Sequence, residues 1–324
     1  MRAIDMKSRQ AGVTLVEILV ALSIGSFLMI GALQIYNQSR HAFVINESIA
    51  RVQETAQFAM DTIEADLRMA SNWGLLSRGN SIEGRALPAN ANPNTVAVPA
   101  DCGARWALNL GQPVEGANNA YTLACAARSA AQANSDTVTT RRATVAVMPP
   151  ENGRLQIQTT RVQGEVFSDG TVPGVFDPNV SETHNLLVNT YYVASASELV
   201  PGVPTLRRKS LQINAGAPVV VDQEVAPGVE NLQLQFGVDV NADNTIDRYV
   251  NPGDPIFDPA AATYIPGVRV ITTRIWLVVR GISREPGIED NRNYRPGDVI
   301  LGTYNDGFRR MQVSKTILMR NARI

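Results

Sequence analysis

No proline occurs before Pro88; all 18 lie from there onward. Proline breaks a helix interior, so the N-terminal quarter is free to form one continuous helix and the remainder is not. Cysteine and histidine are scarce. Cys102, Cys125, His41 and His184 are too few for a Cys/His zinc site of the usual kind. Lysine is scarcer still: Lys209 and Lys315 are the only two after Lys7, and the formal net charge is -1. No basic surface is available to hold nucleic acid by its phosphates. There is no G-x-x-x-x-G-K phosphate loop. Serine, histidine and aspartate show no order-specific catalytic pattern, so no enzyme is expected and no cofactor is required. His41 and His184 read as surface or packing residues, and Trp73, Trp106 and Trp276 as core. A hydrophobic fraction of 44% with 18% charged residues excludes wholesale disorder.

What is present begins at the N-terminus. Residues 1–12 carry Arg2, Lys7 and Arg9 against Asp5. An apolar stretch follows from Val13 to Tyr36, with Glu17 its only charge. As helix it spans roughly 36 Å, enough for a bilayer core of about 30 Å. The basic leader keeps its end in the cytoplasm and places the C-terminal bulk outside. A cleaved secretory signal fits less well, because the apolar run is too long and the glycine precedes it. A carboxylate inside such a helix is costly unless it lies near the headgroups or has a partner. Glu17 is therefore either an interfacial glutamate or half of a dedicated pair.

The helical pattern continues beyond the membrane length. Ile45, Ile49, Val52, Ala56, Ala59, Ile63, Leu67 and Ala70 recur at spacings of three and four, and charges fall mostly elsewhere. Asn72-Trp73-Gly74 supplies a stop, so one helix is predicted from Val13 to about Ser71. Residues 75–135 are rich in Gly, Pro, Asn and Ala and read as long loops with short strands. Strands are predicted at 138–148, 155–160, 185–196, 205–213, 219–225, 269–280 and 309–319. Turn-rich segments separate them, as expected of an antiparallel sheet packed on the second half of the helix. Cys102 and Cys125 fall on the exported side, where oxidation is favoured. A disulfide there closes about 24 residues and contributes roughly 3 kcal/mol; two free buried cysteines are the other reading.

The segment Ala11-Gly12-Val13-Thr14-Leu15-Val16-Glu17-Ile18-Leu19-Val20-Ala21-Leu22 resembles the prepilin processing motif of type IV pilins and type II secretion pseudopilins. The resemblance implies that Gly12 is the cleavage residue, Val13 the new and methylated N-terminus, and Glu17 the family's glutamate at mature position five. Val13 departs from the more frequent phenylalanine. Asn231-Leu232-Gln233-Leu234-Gln235-Phe236-Gly237-Val238-Asp239, Arg274-Ile275-Trp276-Leu277-Val278-Val279-Arg280 and the stretch Phe308 to Asn321 narrow it. Together they are similar to the PilW family of type IV pilus assembly minor pilins. That likeness covers the first 70 residues and roughly Pro227 to the end. It implies an α+β, type IV pilin-like fold. Its parts are a leader (1–12), a membrane or filament-core half-helix (13–36), an amphipathic half-helix (37–73) and a periplasmic β-rich domain (74–324). It also implies a subunit that primes pilus assembly at the tip. The partners implied are other minor pilins and the major pilin, the prepilin peptidase, the inner-membrane assembly platform and a tip adhesin. The alternatives are a type II secretion pseudopilin, or a tip adhesin or binding subunit.

One acidic run has a chemistry of its own. Asp239, Asn241, Asp243 and Asp247 stand at positions 1, 3, 5 and 9 of a calcium-loop pattern, with the Thr245 carbonyl at position 7. Position 6 is Asn244 in place of glycine. Position 12 is Val250 in place of glutamate, which leaves Asp254 as a substitute ligand. The run reads either as a calcium site or as an Asp/Asn-rich turn between strands.

Overall fold

The computed structural model describes residues 12–86, 96–99 and 101–322. Helix α1 spans Leu15–Met69 without interruption, close to the predicted bounds. Ser71 (φ 66°) and Gly74 (φ 77°) turn the chain away beyond it. A Cβ at Gly74 would lie 2.4 Å from the His184 ring, so the turn needs glycine for both backbone and space. The chain divides into two compact units at Ala50/Arg51. In the first, α1 presents an almost wholly exposed apolar surface, including Leu15, Leu22, Phe27 and Ile35. In the second, Val52, Ala56, Ala59, Met60, Ile63 and Leu67 of α1 are buried. The predicted amphipathic face is thus buried from Val52 on, whereas Ile45 is exposed.

Among the described residues, the rest of the second unit is built from one short α-helix, two single-turn 3-10 helices (Gly79–Ser81 and Pro255–Phe257) and twelve strands. The strands are β1 (Ile82–Glu83), β2 (Val114–Ala117), β3 (Thr137–Ala143), β4 (Asn152–Thr159), β5 (Gly164–Asp169) and β6 (Glu182–Ala194). They continue with β7 (Thr205–Asn214), β8 (Ala217–Pro227), β9 (Val229–Asp239), β10 (Arg248–Val250), β11 (Arg269–Arg280) and β12 (Arg310–Leu318). Helix α2 (Ala104–Leu108) lies between β1 and β2. Two sheets form where one was expected. The larger has the order β1-β5-β4-β6-β3-β2, with β7 on β6 and β8 on β7. The smaller is β10-β9-β11-β12. Every pair is antiparallel except β1–β5.

Alternation explains the smaller sheet. Leu232, Leu234, Phe236 and Val238 of β9 and Ile275, Leu277 and Val279 of β11 turn one face inward, onto the buried residues of α1. A second core gathers Trp73, Ile82, Trp106, Leu108 and Leu110 over Leu155, Ile157, Leu186 and Val188. The Cys102–Cys125 disulfide forms, with Cα atoms 4.4 Å apart, and ties the α2 segment to the loop after β2.

Candidate functional site

Of the sites that follow, the start of α1 and the acidic run were singled out by sequence, and the polar frame between them was not. The first is the start of α1. Thr14 caps it: its Oγ1 accepts the Glu17 N–H at 3.3 Å and its carbonyl accepts from Ile18 N at 3.2 Å. Thr14-Leu15-Val16-Glu17 is thus a cap sequence with an acid in the first turn, where the helix dipole favours negative charge. Sequence reading missed Thr14, although the Thr-x-x-Glu spacing signals it. Gly12 and Val13 precede the helix and are exposed, with no atom within 4 Å of a Cβ built on Gly12. By length and composition α1 is long and apolar enough to cross a membrane. The remaining leader residues lie outside the described residues.

The second site is the polar frame that positions α1 and the C-terminal strands. Asp66 of α1 is buried and receives Arg142 (3.0 Å), Asn189 (2.6 Å) and the Tyr191 hydroxyl (2.6 Å). Burial and the Asp66 charge push the Tyr191 phenol above its ordinary range. On the same helix, Glu64 pairs with Arg68 at 3.1 Å and with Lys315 of β12. At the head of β12, buried Arg310 binds Glu230 (2.6 Å), Asp306 (2.6 Å) and Asp290 (3.3 Å), and stacks 3.6 Å from the Tyr304 ring. Burial opposes its charge, but Asp306 and Glu230 outweigh that and hold the guanidinium above its ordinary range. These groups pin the long connection from β11 to β12, with backbone bonds from Asp290 N to Asp306 O (2.8 Å) and Glu285 N to Gly307 O (2.7 Å).

The acidic run closes on its own hydrogen bonds, and of its two readings the calcium site gains no support. Asp239 Oδ1 accepts from Asn241 N (3.2 Å) and Ala242 N (2.7 Å). Its Oδ2 accepts from Asn244 N (3.0 Å) and Arg269 (2.5 Å). Asp243 Oδ1 takes Thr245 N at 2.8 Å, and Asp247 Oδ2 takes Val240 N at 2.8 Å. The Asn241 amide nitrogen points at Asp243 Oδ2 (3.2 Å), a donor where a cation needs an oxygen. Among the described residues no group of three or more His, Cys, Asp or Glu side chains is arranged to hold a metal. The run is a self-closed turn between β9 and β10, with Ala242 and Asn244 at φ 65°. Its melting midpoint should be the same in chelator and in millimolar calcium. Real binding at a hundredfold excess over Kd would add about 2.7 kcal/mol and raise the midpoint by several degrees.

Asp136, at the start of β3, joins the two sheets. Its carboxylate accepts from Asn119 N and Leu234 N, both at 2.7 Å, and its own N–H bonds Leu232 O. Burial pushes it up to about 7; the two N–H donors pull it down and the Asp298 charge adds to the rise. A folded pKa above the unfolded one means that the fold holds the proton more tightly. The contribution to stability is full at low pH and is lost as pH rises from about 4 to 7. Paired carboxylates such as Asp290 and Asp306, held low, give the opposite slope. The difference in melting midpoint between wild type and Asp136→Asn should therefore fall between pH 4 and 7 and level off above. A flat difference would place the ionisation elsewhere.

The family described as Type IV Pilus-assembly protein W matches residues 190–321, which contain β9, β11, β12 and the Arg310 frame. The prokaryotic N-terminal methylation motif matches residues 7–33, which contain Gly12 and Glu17. Among solved structures, a type IV-like pilin from Thermus thermophilus is similar at 14% identity and a TM-score of 0.27, over 59% of this chain and 80% of that one. No curated protein matches significantly. A methylation motif opening a membrane-length helix, with a pilus-assembly W match over residues 190–321 of the same chain, supports a type IV pilus minor pilin of the PilW family.

Proposed function

We propose that this chain primes assembly of a type IV pilus and resides at the filament tip. In this reading the prepilin peptidase cuts between Gly12 and Val13, and residues 13–36 hold the subunit in the inner membrane. The β-rich domain, residues 74–324, stands in the periplasm until assembly carries it to the surface. Other minor pilins, the major pilin, the assembly platform and a tip adhesin are its partners. The observation that carries the proposal is one carboxylate, Glu17, at the fifth position after Gly12 in an otherwise uncharged apolar segment. A charge so placed serves a subunit that leaves lipid for a helical bundle, because only there does a fixed partner become available. The large globular part suits a filament end, where neighbours crowd one side only.

The exposed Gly12 backbone lets a peptidase approach the bond, and a side chain there would obstruct it. Cells whose only copy is Gly12→Val should keep the full-length mass in their membranes and make few pili. Gold labelling of the wild-type subunit should mark filament ends. Labelling along the shaft, or normal piliation in a deletion strain, would remove the priming role.

A further inference from the structure

The described edge strands of the two sheets are protected, with one exception. β1, β2 and β10 have two, four and three residues. β8 is long but carries Pro218, Asp222, Glu224 and Pro227. Short length, proline and charge are the usual means of keeping an edge from pairing with another chain. β12 has nine residues, no proline, and a register against β11 free of bulges. Its one charge beyond Arg310, Lys315, is engaged by Glu64.

The ladder fixes which backbone groups of β12 face outward. Met319 N bonds Ile271 O at 2.9 Å and Gly281 N bonds Arg309 O at 2.8 Å. With the register between them, the odd-numbered residues of β12 bond β11, and Gln312, Ser314, Thr316 and Leu318 turn their N–H and C=O away from it. Side chains occupy the first part of this edge: the Gln312 amide pairs with the backbone of Arg295, and the Arg292 guanidinium caps a carbonyl. Arg295 N donates to Gln312 Oε1 (3.1 Å), Gln312 Nε2 to Arg295 O (3.4 Å), and Arg292 to Arg310 O (3.1 Å). From Ser314 to Leu318 no such cover is seen among the described residues. Beside the edge runs a groove of about 700 Å³ between α1 and β12, floored by Ala56, Met60, Met311 and Val313 and rimmed by Gln57 and Lys315.

We propose that the open half of β12 accepts an extended strand from a different protein subunit, with an apolar side chain entering the α1–β12 groove. Outward backbone groups at every second residue recognise an extended backbone, and the apolar floor recognises alternate side chains. The backbone of Arg295 already lies beside the neighbouring stretch of edge, held there by the Gln312 side-chain amide. A second copy fits worse: antiparallel self-pairing about Thr316 sets Ser314 against Leu318 and leaves Met311 and Val313 beyond the overlap, their groove unfilled. The inference holds whether or not the subunit primes a filament.

The test uses the full-length mature protein in detergent and a defined probe, the peptide Lys-Thr-Val-Thr-Val-Thr-Lys, with a copy N-methylated at alternate amides as control. The plain peptide should bind saturably and slow hydrogen exchange at Ser314, Thr316 and Leu318 by about tenfold or more. The N-methylated copy should do neither. Thr316→Pro removes an outward N–H and no bond to β11, so it should abolish binding at an unchanged melting midpoint. The methylated control decides the matter on wild-type protein should that variant not fold. Three results overturn the proposal: no binding, amides already protected in dilute monomer, or concentration-dependent dimers that Thr316→Pro dissolves.

Discussion

Cells whose only copy carries Glu17→Ala should insert and cleave the subunit normally, keep its folded domain, and display far fewer surface pili. In the bilayer, a lone subunit holds Glu17 near the start of α1, where headgroups and water relieve its charge. The Thr14 cap and the helix dipole act there too, and neither needs a partner subunit. In a filament those helices leave lipid and water. On the proposed reading the relief then comes from another subunit, and cleavage after Gly12 would supply a free amine at Val13 suited to it. Apolar surface such as Leu15, Val16, Leu19 and Leu22 attracts a neighbouring helix at many axial offsets, because dispersion has no preferred register. A charge pair selects one. A charge-assisted hydrogen bond contributes about 1.5–3 kcal/mol, which converts to roughly tenfold or more in the population of the correct register. Glu17→Gln should fail nearly as badly, since it keeps shape but not charge. Wild-type pilus counts with either change would reduce Glu17 to an interfacial residue.

The N-terminal site was legible because it is local. Gly12, Glu17 and the uncharged run between them are read from adjacent residues, and the helix end near Met69 from a proline-free stretch with a 3.6 period. β11 was equally legible: its bounds fall where predicted, at Arg269 and Arg280, because glycines flank a run rich in Val, Ile and Thr. β5 was hidden, since Gly164–Asp169 holds two large apolar residues and no clear alternation. The division into two sheets was not legible, because β-pairing partners are distant in sequence and only the burial of both faces selects them. The polar frame was invisible for the same reason. Asp66 meets Arg142 across 76 positions, and Arg310 meets Glu230 across 80. The acidic turn was ambiguous in sequence for a different reason. Asx turns and calcium loops draw on the same alternation of Asp and Asn. The donors that decide between them, Arg269 and the backbone N–H groups, lie outside the pattern.

Arg310→Ala should destabilise the globular unit by about 3–5 kcal/mol, the range for removing one member of a buried ionic group. Three carboxylates then face one another without their common cation: Glu230, Asp290 and Asp306, the first two buried. Asp290 retains Arg292 at 3.1 Å and the Tyr294 hydroxyl at 2.9 Å. Glu230 retains Arg280 only at 3.9 Å. The larger share of the loss therefore falls on Glu230, in β9. Arg310→Lys should recover little, because an ammonium cannot bridge Glu230 and Asp306 in two planar forks at once or stack on Tyr304. Removing charge on both sides separates repulsion from lost packing. Arg310→Met combined with Glu230→Gln and Asp306→Asn should regain most of the stability that Arg310→Ala loses, since a neutral site of similar volume carries no uncompensated charge. Denaturant midpoints of the four proteins at neutral pH measure this order. A midpoint for Arg310→Ala within about 0.5 kcal/mol of wild type, the range of ordinary surface changes, would show that the frame is solvated. The connection from β11 to β12 would then be held by its backbone bonds alone.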